Sequence, residues 1–105
     1  MGKDTNIISQ LKAFRRDISK EIKVKELLFF GSRARGKCQP DSDVDLLIVS
    51  ADFKKEKSFQ RAIRLYNSWH LDYPVDFICL TPEEFIKKKK QIGTVQQAVK
   101  EGIGI

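Results

Sequence analysis

The stretch FFGSRARGKCQPDSDVDLLIVS, from Phe29 to Ser50, sets a Gly-Ser turn directly behind one apolar run. It then opens a second apolar run with alternating aspartates, Asp43 and Asp45. Successive side chains of a strand point to opposite faces, so positions i and i+2 share a face. Asp43 and Asp45 therefore stand side by side at the start of a strand. Two carboxylates in such a place need compensation, and a hard divalent cation held jointly with substrate phosphates is the usual one. The stretch points to metal-dependent phosphate chemistry.

Working outward, Ile7, Ile8, Leu11, Phe14, Ile18 and Ile22 recur at helical spacing and predict an amphipathic helix over 5–22. Lys25–Phe30 (KELLFF) is a short apolar run stopped by Gly31 and reads as a buried strand. Pro40-Asp41 marks a turn, and 44–49 is the second strand. Phe59, Ala62, Ile63, Tyr66 and Trp69 predict a helix over 57–70, with Tyr66 and Trp69 assigned to the core. VDFICL, 75–80, is the third strand. Thr81-Pro82-Glu83-Glu84 carries an N-cap, a first-turn proline and a capping-box glutamate, so a helix starts there. A last helical stretch, 95–100, ends at Gly102.

The order α-β-β-α-β-α-α gives an α+β class with a mixed sheet flanked by helices. The short connection between the first two strands makes them antiparallel neighbours, and the helix between the second and third makes those parallel. The end of the first strand then meets the starts of the other two. Gly31, Ser32, Asp43, Asp45 and Asp76 converge on one sheet edge. Gly31 lets backbone approach a phosphate, and Ser32 adds a hydroxyl donor. A short helix opening at Ser32–Arg35 would turn its N–H groups toward the same anion. Arg33 or Arg35 can neutralise phosphate charge. His70 reads as a helix-end residue.

The chain has 105 residues, 41% hydrophobic and 32% charged, and is read as one domain over 1–105. A net charge of +6 favours anionic partners. The runs Lys54–Lys57 and Lys87–Lys90 read as solvated faces. Cys38 and Cys79 make neither a disulfide framework nor a zinc site; Cys79 belongs to the core and Cys38 to a loop. With no membrane-length apolar run and no leader-like start, the expected location is cytoplasmic.

Gly31-Ser32-x-x-Arg35-Gly36, then Ser42-Asp43-x-Asp45-Leu46, then Asp76 in a following strand resembles the DNA polymerase beta-like nucleotidyltransferase superfamily. At this length the chain is similar to its minimal nucleotidyltransferases, the MNT proteins, from Leu27 to about Ile103. The resemblance implies that Asp43 and Asp45 bind two Mg²⁺ ions and that Asp76 binds the catalytic one beside the acceptor hydroxyl. Gly31, Ser32, Arg35 and Ser42 would hold ATP. It also implies transfer of AMP to a hydroxyl with release of pyrophosphate. MNT proteins typically pair with small helical HEPN proteins, so a partner tyrosine is the expected acceptor and an antitoxin role the expected setting, in a homo- or hetero-oligomer. Nucleic acid is not expected as a direct substrate. The alternatives are a non-catalytic module that blocks its partner by contact, and a transferase acting on an aminoglycoside-like alcohol. Three acids argue against the first, because binding alone does not need three metal ligands.

Overall fold

The structure, a computed structural model, describes residues 2–36 and 43–105. Helix α1 (Gly2–Ile18) leads into strand β1 (Glu26–Phe30) and strand β2 (Val44–Val49). A 3₁₀ turn (Ala51–Lys55) and helix α2 (Ser58–Asn67) connect to strand β3 (Val75–Leu80). Helices α3 (Pro82–Lys88) and α4 (Thr94–Glu101) and the short strand β4 (Ile103–Gly104) follow. The four strands form one mixed sheet in the order β3-β2-β1-β4. β1 and β2 pair antiparallel, and β2 and β3 parallel, as the connection lengths required. Among the described residues no helix is long and apolar enough to cross a membrane.

The sheet buries both faces. On one, Val44, Leu46 and Ile48 pack with Ile7, Leu11, Phe14 and Ile18 of α1 and Leu65 of α2. On the other, Phe30, Leu47 and Leu80 pack with Val95 and Ala98 of α4. This double burial is why β2 reads as a continuous apolar run after Asp45.

Helix α1 stops at Ile18, four residues short of the expected 22. Ser19 Oγ donates to the Arg15 carbonyl (2.6 Å), a local bond that competes with helix propagation. Ile22 remains buried because its N–H bonds the Ile18 carbonyl (3.0 Å) in one further turn, which continued the helical spacing without the helix. The capping box at α3 forms as read: the Glu84 N–H donates to Thr81 Oγ1 (3.2 Å) and the Thr81 N–H to Glu84 Oε1 (2.9 Å).

Helix α2 is shorter than 57–70 and is turned the other way. Phe59, Ile63 and Tyr66 are 61%, 54% and 45% exposed, while Arg61 and Leu65 are buried. An arginine overrides the apolar periodicity because it completes a polar hub. Its guanidinium donates to Glu84 Oε1 (2.7 Å), the Cys79 carbonyl (3.1 Å) and the Glu56 carbonyl (3.0 Å), and lies over the Phe53 ring. Trp69 does reach the core, edge-on to Phe14 at 5.0 Å. Tyr66 still meets Phe77 in an edge contact (4.9 Å between ring centres), and its hydroxyl donates to the Val75 carbonyl (3.2 Å). Arg61 and Tyr66 thus cover two outward carbonyls of the edge strand β3, which blunts that edge against pairing with another chain.

Two elements have no counterpart in the sequence reading. The 3₁₀ turn is capped by Ser50, whose Oγ accepts from the Asp52 N–H (3.1 Å). β4 pairs antiparallel with β1, Ile103 opposite Phe29, and Arg15 grips the Ile105 carbonyl beyond it. A two-residue strand carries too little periodicity to be read; its partner strand and a helix side chain hold it.

Candidate active site

The register of the sheet assembles the site. Phe30, the last residue of β1, faces Asp45, and Asp45 faces Asp76 across the parallel pair. Gly31 therefore begins its turn directly beside the Asp45 carboxylate. Gly31 has φ +89°, a left-handed conformation that costs an L-residue strain. A Cβ there would lie 3.2 Å from Asp45 Cγ and closer still to Oδ2. The sequence reading gave Gly31 to phosphate approach alone; the structure adds that the glycine makes room for an acid of its own chain.

Ser32–Gly36 forms a turn rather than a helix start. The Arg35 N–H donates to the Gly31 carbonyl and the Gly36 N–H to the Arg33 carbonyl, both at 3.2 Å. Gly36, at φ +79°, departs from helical geometry, so the dipole of a continuing helix is not available here. Arg33 places its guanidinium over the Tyr73 ring at 5.0 Å, linking this turn to the segment that leads into β3. Ser42, like Cys38 and the Pro40-Asp41 turn, lies outside the described residues.

Asp45 is partly buried at the centre, with Asp43 and Asp76 exposed on either side. Burial first, then the charges of Asp76 and Asp43, push the Asp45 carboxyl above its usual range. The same field extends past β3: burial, then Asp76, pushes the Tyr66 phenol up. Yet among the described residues no group of three or more His, Cys, Asp or Glu side chains stands close enough to cage a metal ion. Like charges on one sheet edge repel one another, and a cation between them relieves that repulsion. Mg²⁺ fits this donor set by its chemistry. It prefers carboxylate oxygens and keeps several waters, needing only one or two protein carboxylates plus substrate phosphates.

A cavity of about 440 Å³ opens beside the turn, lined by Phe30, Gly31, Arg35, Thr94, Gln97 and Glu101. A second, of about 330 Å³, lies on the β3 side among Ile78, Leu80, Lys88, Ile92 and Thr94. Ile78 and Leu80 follow Asp76 at positions i+2 and i+4, on the same face of β3. Arg35 Nη1 donates to Glu101 Oε1 (2.8 Å) within the first cavity. The family resemblance took in the Glu101-Gly102 ending but gave Glu101 no role in this site. Its signal is an acid in the last turn of a helix, where the dipole disfavours it and a cation must be nearby. His70 and the Lys87–Lys90 run are exposed, and of the run Lys88 lines the second cavity.

Residues 8–103 match the family described as a nucleotidyltransferase domain. The chain is 37% identical over 71 residues to a Methanocaldococcus jannaschii protein named as a candidate protein adenylyltransferase, MJ0141. That alignment covers 66% of this chain and 72% of the relative. A candidate nucleotidyltransferase from Sulfolobus solfataricus superposes with a TM-score of 0.68 at 24% identity, covering 96% of this chain and 80% of the other. A toxin–antitoxin crystal structure with AMP-PNP superposes with a TM-score of 0.57 at 24% identity, covering 91% and 69%. At these identities the two structures speak for the shared fold.

Proposed function

Because this chain belongs to the nucleotidyltransferase domain family, we propose that it transfers AMP from ATP, with Mg²⁺, to a hydroxyl of a partner protein. The observation that carries this reading is the acid row itself: Asp45, flanked by Asp43 and Asp76, beside a turn whose glycine is held open against the Asp45 carboxylate. In this reading Asp43 and Asp45 hold two Mg²⁺ ions and Asp76 shares the catalytic one. Bound there, Mg²⁺ neutralises phosphate charge and lowers the pKa of the attacking hydroxyl. Gly31 and Ser32 receive the triphosphate, joined by Ser42, and Arg35 neutralises charge from the cavity side. Asp76, exposed at the start of the edge strand, orients the acceptor hydroxyl and takes up its proton. The acceptor oxygen bonds to Pα as the Pα–O–Pβ bond breaks, and pyrophosphate leaves.

A protein acceptor is supported by the name of the M. jannaschii relative, and an antitoxin role by the toxin–antitoxin neighbour. The partner proposed is a small helical HEPN-type protein modified on a tyrosine, in the cytoplasm. The cavity beyond Asp76 favours a second reading, a small alcohol as acceptor. Intact-protein mass spectrometry with ATP and Mg²⁺ separates the two. Addition of one AMP to the helical partner, lost in Asp76→Asn while Mg–ATP still binds, is the expected result. No gain by the partner, with AMP appearing on a small alcohol, transfers the conclusion to the second reading. No transfer to either defeats both.

A further inference from the structure

Arg35 and Glu101 are 66 positions apart in the chain, yet they meet at 2.8 Å in the cavity beside Gly31. Both side chains are partly exposed, at 45% and 37%, and an exposed pair of this kind contributes little to stability. Both are nonetheless firmly placed. The Arg35 N–H is bonded to the Gly31 carbonyl, so its backbone belongs to the turn. Glu101 ends α4, where the Gly102 N–H donates to the Ala98 carbonyl (2.8 Å) and Ile103 pairs with Phe29 of β1. Its second oxygen accepts from Gln97 Nε2 (2.8 Å). An acid at this helix end opposes the dipole. The hydrogen bond from Arg35, then that from Gln97, nevertheless holds its carboxyl below the usual range.

We infer that Glu101 is a positioning residue of the nucleotide site, holding the Arg35 guanidinium toward the cavity beside Gly31 so that Arg35 meets a triphosphate already oriented. A guanidinium has five N–H donors, and among the described residues Nη1 alone is engaged, by Glu101, which leaves the rest of the fork for phosphate oxygens. A free arginine would lose its rotamer freedom when the nucleotide binds; an arginine already tethered has lost it beforehand. This role rests on the nucleotide reading above and deepens it.

The sign of the effect makes it testable. Glu101→Ala removes a negative charge from beside an anion site, so simple electrostatics expects tighter binding. Positioning expects the reverse: calorimetry of Mg–ATP, and of inorganic tripolyphosphate, should show binding weakened about three- to tenfold. Glu101→Gln keeps an oxygen acceptor for Arg35 and should restore affinity to within about twofold. In an Arg35→Ala background, Glu101→Ala should have no further effect, because Glu101 acts only through Arg35. Unchanged or tighter binding in Glu101→Ala overturns the role, as does a loss that persists in the Arg35→Ala background. If the wild-type chain binds no Mg–ATP, the nucleotide reading falls with it. If the wild type binds and Glu101→Ala is silent, this role alone falls.

Discussion

Replacing Gly31 by alanine imposes two separable costs. The first is conformational: φ +89° puts an L-residue in the left-handed region, at about 1–2 kcal/mol. The second is steric: the new Cβ meets the Asp45 carboxylate, whose Cγ would be 3.2 Å away. Asp45 must rotate off its rotamer, adding about 0.5–1.5 kcal/mol and aiming an acid of the row elsewhere. The total is about 1.5–3.5 kcal/mol of folding stability. Gly36→Ala supplies the control, because φ is +79° there but among the described residues nothing lies within 4 Å of its Cβ. Urea denaturation should show the backbone cost in both variants and the additional cost in Gly31→Ala alone. Calorimetry should show Mg–ATP binding lost in Gly31→Ala and retained in Gly36→Ala. The steric increment should vanish in an Asp45→Ala background, where nothing remains to collide with. If Gly31→Ala costs no more than Gly36→Ala, or binds Mg–ATP like the wild type, the contact between glycine and carboxylate is not what the site requires.

Asp45→Asn should abolish Mg²⁺-dependent transfer without lowering apo stability at neutral pH. The folded Asp45 carboxyl is raised, so its ionisation above that value weighs against the folded state, and removing the charge relieves this; an apo variant that melts well below the wild type refutes the sign. Arg61→Leu should cost about 1–3 kcal/mol in urea denaturation, because it leaves the Cys79 and Glu56 carbonyls without their donor, while Glu84, 41% exposed, regains water. Glu84 is lowered by Arg61, so its share of stability is present above the ordinary value of 4.5 and is lost as pH falls through the folded one; this acid-side loss should shrink in Arg61→Leu. Burial pushes the Cys79 thiol up to about 12, so in a Cys38→Ser background a thiol reagent at neutral pH should react at the unfolding rate, and rapid labelling of the native protein would contradict its burial.

Strand positions and the acid row were legible in the chain because both depend on local pattern. β2 and β3 fall at 44–49 and 75–80 because apolar runs between polar turn residues have no other stable use. Asp43, Asp45 and Asp76 come to one edge because a short link forces antiparallel pairing and a helical link parallel pairing. What stayed hidden depends on partners far away in sequence. Apolar periodicity chose Phe59, Ile63 and Tyr66 as the inner face of α2; the structure turns Arg61 inward because Glu84, the Cys79 carbonyl and the Glu56 carbonyl together satisfy it. β4 exists only because β1 has a free edge and Arg15 grips the Ile105 carbonyl. Glu101 joins the turn because α4 packs against β1, and Gly31 is held to glycine by a carboxylate fourteen residues away. Local pattern determines which residues are strand, turn and acid. Long-range packing alone decides which charges meet and which faces stay open, since a charge is placed by all its neighbours at once and not by its spacing along the chain.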